Sequence, residues 1–222
     1  MNTYVSGPLG WALLTEAAKL ADQDPSQYLA DFITLLKSFA VIFPCKFCRQ
    51  SLTMILDSCH PMDDLDPRDQ PGCCSTLIYW LHGLVNRKLG RDKVNDDLTW
   101  DRYTRRLAVW AHFACASTVS DWLGILALSL PLRDEGFSSA AVIQHVEVLA
   151  RLMTAANLDG AERLKAAVAR LHLTEKDLPL QVLQVAHLMS TTPTTCAFVT
   201  RLLPAIVHPD DYPIKRFCGL ES

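Results

Sequence analysis

The stretch SFAVIFPCKFCRQ, residues 38–50, joins an apolar run to a proline and two cysteines in C-x-x-C spacing. Pro44 is predicted to end one helix and start another, because proline lacks a backbone N–H and fixes its own φ. Cys45 then lies at a helix start, where the helix dipole and unpaired N–H groups favour the thiolate. The spacing suits a redox-active dithiol, half of a zinc site or two buried thiols.

Composition narrows the class of protein. Of the 222 residues, 50% are hydrophobic and 20% charged, and the net charge is −3. This excludes general disorder and gives no basic surface for a nucleic-acid partner. The start MNTYVSGPLGW lacks the charged and apolar regions of a signal peptide, so we expect a cytoplasmic protein. Eight cysteines are many for that compartment, where they more often bind metal or do redox chemistry.

Helical spacing of apolar residues recurs along the chain, without sustained strand-like alternation, which predicts an all-α protein. Asp24 followed by Pro25 is typical of a helix start. The apolar reach at 107–132 is interrupted by polar residues, so we expect a buried helix and no membrane span. The predicted helices cover residues 8–21, 25–43, 44–55, 75–89, 100–120, 139–156, 159–171, 175–189 and 193–203.

The competing readings of the C-x-x-C differ in what else they need. A zinc site needs two more ligands, and the adjacent pairs Cys59-His60 and Cys73-Cys74 lack the usual spacing. A thioredoxin-like site needs a preceding strand, whereas a helix is predicted there. A third interpretation, in which both cysteines are inert buried thiols, also stays open.

The segment YWLHGLVNRKLG, residues 79–90, places His82, Val85, Asn86 and Leu89 on one helix face. Such a polar pair in an apolar stripe is either a satisfied core histidine or a face that holds a flat ligand. Arg87, Lys88 and Arg91 follow, and they either meet phosphates or form a solvated helix end.

Together these elements resemble the Erv/ALR family of FAD-dependent sulfhydryl oxidases. FAVIFPCKFC is similar to the family's F-x-x-x-[YF]-P-C-x-x-C element, and LHGLVNRKLG is similar to its H-N-x-V-N-x-x-L-G element. GPLGWALL is similar to its opening G-x-x-x-W-x-x-L-H. The three elements occur in order between residue 7 and about residue 105, and the sequence departs from the pattern at Pro8, Thr15 and Gly83.

The resemblance implies an Erv-like domain over residues 1–120, a four-helix bundle plus a short fifth helix that binds FAD. Residues 121–222 are predicted to form an additional helical region, which acts either as a degenerate second half-dimer or as a docking surface. The added region is typical of members from large DNA viruses, which implies a viral enzyme of the host cytoplasm or virion that acts in virion assembly. Family behaviour further implies a homodimer.

The implied reaction is the formation of disulfide bonds in protein dithiol substrates. Cys45 receives the substrate thiolate, Cys48 faces the flavin, and electrons pass to FAD and then to molecular oxygen, giving hydrogen peroxide. No metal is implied, and a shuttle disulfide is implied at Cys73-Cys74 or at Cys196 with Cys218. The implied FAD contacts are Gly7, Trp11, Leu14, His82, Val85, Asn86, Lys88, Leu89, Arg91 and Trp100.

Two alternatives to an active oxidase stay open. One is a zinc-stabilised helical interaction module, and the other is a degenerate oxidase kept as a structural protein. Bound flavin and oxygen uptake separate the three.

Overall fold

The computed structural model of the chain describes residues 3–59, 65–88, 116–132, 138–157, 160–171, 173, 177–190 and 195–202. Within these ranges the chain is helical and has no strand, which confirms the predicted all-α class for this part. The predicted helix over 100–120 falls largely outside them. The helices are α1 (Thr3–Gln23), α2 (Pro25–Ile42), α3 (Lys46–Cys59), α4 (Cys73–Lys88), α5 (Ala116–Ser129), α6 (Ser139–Ala155), α7 (Ala161–Leu171), α8 (Leu178–Met189) and α9 (Thr195–Leu202), with a 3₁₀ turn at Leu130–Leu132.

Both helix boundaries around α2 follow from local chemistry. At its start, the Asp24 carboxylate accepts the backbone N–H of Gln27 at 3.2 Å, and Pro25 occupies the first turn, where no N–H is needed. At its end, Phe43 leaves the helical region with φ −50° and ψ 133°, as expected for a residue that precedes a proline. These contacts confirm the predicted cap and the predicted break at Pro44.

A single hydrophobic core runs through the described helices. Helix α1 packs against α2, α4 and α5, α2 packs against α3 and α6, and α5 packs most extensively against α8. Core side chains from both sides of the predicted boundary at residue 120 belong to the same cluster. The division into 1–120 and 121–222 stays a prediction, and α1 and α2 lie directly on the later helices.

Gly10 allows α1 to approach the segment that carries the cysteines. A β-carbon at this position would lie 3.0 Å from ring atoms of both Phe39 and Phe43, and 3.7 Å from Trp122. Contacts at 3.0 Å are shorter than packed carbon atoms accept, so any larger residue would displace the rings. The glycine singled out from the sequence, Gly7, has open space around it instead.

Helix α5 is largely buried over its described side chains, as expected for the apolar stretch within 107–132. Residues 118–120 and 122–130 are buried, with Trp122 fully inaccessible. A helix that is apolar all round belongs in a core. Among the described residues, no helix has both the length and the apolar character needed to cross a membrane.

A buried hydrogen-bond chain connects α2, α5 and α6. The Trp122 indole N–H donates to His145 Nε2 at 2.9 Å, and His145 Nδ1 lies 2.8 Å from Ser38 Oγ. Because indole is only a donor, Nε2 must be unprotonated, so Nδ1–H donates to Ser38. The Ser38 hydroxyl then donates to the Leu35 carbonyl at 2.6 Å. Each polar side-chain atom in this set of hydrogen bonds has a partner when the His145 imidazole is neutral.

Burial lowers the pKa of His145 from 6.5 to about 3. The unfolded chain therefore takes up a proton below pH 6.5 that the folded chain refuses, and the stabilising contribution present above pH 6.5 is lost as the pH falls toward 3. Between pH 7 and pH 5 the loss should be about 2 kcal/mol. Urea unfolding at both pH values measures it. His145→Gln, which keeps a donor and an acceptor but does not titrate, should show a correspondingly smaller loss, and an equal loss in both proteins would contradict the assignment.

Candidate functional site

Cys45 occupies the N-cap position of α3. Its carbonyl oxygen accepts the N–H groups of Cys48 at 3.1 Å and Arg49 at 3.0 Å, which starts the helix. Its sulfur accepts the Cys48 N–H at 3.3 Å, the bond that a serine or aspartate oxygen makes at this position. The observed helix start at Lys46 lies two residues after the predicted start at Pro44, with Cys45 capping the helix and Cys48 in its first turn.

Arg49 holds the preceding segment in place. Its guanidinium donates to the carbonyl oxygen of Phe43 at 2.7 Å and to that of Pro44 at 3.3 Å. The side chain thereby satisfies carbonyls left open where α2 ends. The turn between α2 and α3 is fixed from both sides, by Arg49 and by the close approach of Gly10.

The two thiols are electrostatically different, although both are half-buried and free. The pKa of Cys45 falls from about 9 to about 6, chiefly because the Cys48 thiol donates to its sulfur, helped by the backbone N–H groups of Cys48 and Phe47. The pKa of Cys48 is raised by the same interaction and by burial, against the positive charges of Lys88 and Arg49. Near neutral pH the reduced pair holds one proton, on Cys48.

Alkylation of the reduced protein should therefore begin at Cys45. We expect its rate to reach half of its maximum near pH 6, because the thiolate is the nucleophile and the pKa of Cys45 is about 6. Mass spectrometry of iodoacetamide-treated peptides measures each site separately. Cys73, also half-buried but with a raised pKa, is the control in the same sample and should react slowly at pH 7. A Cys45 rate that rises only above about pH 8 would contradict the assignment.

A second group of side chains gathers where α1 and α4 pack together. The rings of Trp11 and His82 meet edge to face with centroids 4.8 Å apart. The Asn86 amide lies 3.4 Å from both ring nitrogens of His82. These three predicted cofactor-binding residues are half-buried and adjacent. The structure thus brings the W-x-x-L and H-x-x-V-N elements together.

Lys88 links this group to the cysteines. From the last turn of α4 its ammonium group donates to the carbonyl of Phe47 at 3.4 Å and bonds the Ser51 hydroxyl on α3. Phe47 is one of the two residues between the cysteines, so the end of α4 and the start of α3 are in contact. The positive charge of Lys88 also acts to lower the pKa of Cys48, against the stronger effects of Cys45 and burial that raise it.

The other predicted site residues are placed less centrally or lie outside the described residues. Leu14 is buried in the core, and Val85 is half-buried on α4. Cys196 lies on α9, without a described side chain. Outside the described residues are Leu89, Arg91, Trp100 and Cys218.

No motif or spacing in the sequence marks Asp22 as a site residue. From the end of α1 its carboxylate accepts the N–H groups of Cys74 at 2.9 Å and Ser75 at 3.0 Å, and the Ser75 hydroxyl at 2.6 Å. It thus caps α4 from another helix, and places the Cys73-Cys74 pair beside a carboxylate. No local pattern marks a cap that lies 52 residues away.

Comparison with protein-family models, with curated proteins and with solved structures gives no match. Two features of this chain point to its chemistry: a capped, low-pKa cysteine in C-x-x-C spacing, and the Trp11, His82 and Asn86 group that Lys88 connects to it.

Proposed function

We propose that the chain is an FAD-dependent sulfhydryl oxidase of the Erv type, which forms disulfide bonds in protein substrates. The observation that carries the proposal is Cys45, whose sulfur caps α3 and whose pKa falls to about 6. A thiol with this pKa is a good leaving group and is largely ionised at pH 7. Inert core cysteines have raised pKa values instead, as Cys74 does.

The packing of the first four helices supports an Erv-like bundle. Helix α1 contacts α2 and α4, and α2 contacts α3, so four helices converge around the end of α2 where the cysteines lie. The later helices α5 and α6 also pack against α1 and α2, and Trp122 of α5 contacts the Phe43 ring beside the cysteines. In this proposal they support the bundle and leave the ends of α3 and α4 for cofactor and substrate.

The residues around His82 fit a flavin. Trp11 and His82 offer aromatic surfaces for stacking, and Asn86 offers both a donor and an acceptor. The buried hydroxyl of Thr15, one turn along α1 from Trp11, has no hydrogen-bond partner among the described residues. A buried hydroxyl without a partner is costly, and a polar ligand edge would satisfy it. Lys88 adds a cation for an anionic ring or phosphate.

The protein substrate is oxidised by thiol–disulfide exchange. A substrate thiolate attacks the Cys45 sulfur of the Cys45–Cys48 disulfide, which forms a substrate–Cys45 bond and releases Cys48 as a thiolate. A second substrate thiolate then attacks the substrate sulfur of this mixed disulfide. The products are a substrate disulfide and Cys45 thiolate, and the two electrons remain on the Cys45/Cys48 pair.

The released Cys48 is stabilised by the charges around it. In the mixed disulfide Cys45 carries no negative charge, so the interaction that raises the pKa of Cys48 in the reduced pair is absent. Lys88 and Arg49 then favour its thiolate form, against its burial. When bound, FAD supplies the two-electron chemistry that reoxidises the pair and reduces dioxygen to hydrogen peroxide.

Substrate reaches the pair from the solvent side of α3. Lys46 and Phe47, the residues between the cysteines, are exposed, Phe47 by 73% of its surface. An exposed aromatic ring beside a reactive cysteine offers apolar contact to a substrate segment, and Lys46 offers a positive charge. Access of this kind suits protein dithiols better than a closed small-molecule pocket would.

Oxygen uptake by the FAD-reconstituted full chain tests the proposal. With dithiothreitol as substrate, we expect a yellow protein that consumes one dioxygen and forms one hydrogen peroxide per disulfide made. A protein that stays colourless after incubation with FAD would overturn the proposal. Bound flavin without oxygen uptake would instead show the degenerate, non-catalytic alternative.

A further inference from the structure

The Cys73-Cys74 pair lies apart from the C-x-x-C, where the end of α1 meets the start of α4. One ligand atom from each of Asp22, Cys73 and Cys74 can be chosen so that all three lie within 4.8 Å of one another. Cys74 is buried, and Asp22 and Cys73 are half-buried. Two sulfurs and a carboxylate oxygen on two different helices converge on one point.

We propose that Asp22, Cys73 and Cys74 form a zinc-binding site that ties α1 to α4. Thiolate sulfur with carboxylate oxygen is a donor set that Zn²⁺ accepts. Tetrahedral coordination with bonds of about 2.3 Å places ligand atoms about 3.8 Å apart. The ligand atoms here lie within 4.8 Å of one another, so shifts of about 1 Å through side-chain rotation bring them into place. The ion replaces one proton on each thiol, and the charge of the site stays −1.

The hydrogen bonds of Asp22 leave room for this role. Its Oδ2 accepts two bonds from Ser75, and Oδ1 accepts the Cys74 N–H. The Cys74 thiol also donates to this carboxylate, and its proton is one of the two that the ion replaces. A dication in this position is attracted by all three donors, which are anionic when they bind zinc.

The site is open to solvent at Cys73. Cys73 lines an open pocket of about 470 Å³ together with Thr76, Leu77 and Trp80. Water from this pocket completes the tetrahedron and provides the entry path for the ion. Zinc is also the better occupant of this pair than a disulfide, because adjacent cysteines form only a strained ring.

Cobalt binding to the full chain tests the site, because Co²⁺ bound to thiolates gives charge-transfer absorption that scales with the number of sulfurs. The parent protein is Cys45→Ser/Cys48→Ser, which removes the other dithiol. We expect one Co²⁺ per chain, displaced by Zn²⁺. Cys73→Ser and Asp22→Asn in this parent should each weaken Zn²⁺ binding by at least about 100-fold, more than loss of an outer-shell partner costs. Cys59→Ser, at the end of α3, should bind like the parent.

Cys73 is the decisive position, because it is half-buried and serine replaces it with little change in volume. Circular dichroism confirms that each variant keeps its helices. The proposal is overturned if the parent binds no Co²⁺ or if Cys73→Ser binds as tightly as the parent. It is equally overturned if Asp22→Asn has no effect, since the three-ligand site then does not exist. Oxygen uptake by the FAD-bound wild type is measured separately and does not depend on this outcome.

Discussion

Replacing Cys45 by serine should reduce oxidation of protein dithiols to the uncatalysed background while FAD stays bound. Serine cannot form the disulfide that the substrate attacks. The fold should survive, because a serine at this position caps α3 at least as well as the thiol does. Oxygen uptake with dithiothreitol and the flavin absorbance of the same sample measure both parts.

Cys48→Ser should be equally inactive but should differ in its chemistry. Cys45 remains available for alkylation, and the serine hydroxyl can still donate to it, whereas Cys48→Ala removes the donor and should raise the pKa of Cys45 from about 6 and slow its alkylation at pH 7. Cys59→Ser, on the same helix, is the matched control and should retain full oxygen uptake. Activity that survives in either active-site variant would show that the C-x-x-C is not the redox centre.

Trp122→Ala should cost about 3–5 kcal/mol of unfolding free energy, the largest single stability effect that we expect. The ring is fully buried, and its centroid lies 4.8 Å from that of the stacked Phe39 ring and 5.4 Å from that of the Phe43 ring. Its loss leaves a cavity between α2 and α5 and removes the donor to His145, whose Nε2 is then buried without a partner. Urea unfolding followed by circular dichroism gives the free energy.

Trp80→Ala is the matched control for that measurement. Trp80 lies on α4 and is 38% exposed, so its truncation removes less buried surface and should cost less than half as much. If both variants lose the same free energy, the aromatic contact of α5 with the C-x-x-C segment does not stabilise the fold as described.

The sequence was informative where the governing chemistry is local. Asp24 and Pro25 start α2 as predicted, and Pro44 separates α2 from α3, because caps and proline act within one turn. The same reasoning placed Cys45 at a helix start, where the backbone N–H groups of Cys48 and Phe47 add to the larger effect of the Cys48 thiol in lowering its pKa. The spacing of His82 and Asn86 on one face likewise predicted their contact.

Interactions between distant segments were not readable from the sequence. Ser38 and His145 are 107 residues apart, and Asp22 caps a helix 52 residues later, so neither contact leaves a periodic or motif-level pattern. Lys88 was expected to meet a cofactor, and its contact with Phe47 depends on how α3 and α4 approach each other. Packing of this kind is set by the whole core and not by local preference.

The most direct test of the proposed function is the absorbance of the FAD-bound protein after dithiothreitol is added without oxygen. We expect that wild-type flavin is bleached rapidly and recovers when air is admitted, whereas flavin bound to Cys45→Ser or Cys48→Ser stays oxidised on the same timescale. Electrons would then pass through the Cys45/Cys48 pair. Wild-type flavin that stays oxidised, or equal bleaching in all three proteins, would contradict electron transfer from the Cys45/Cys48 pair to FAD.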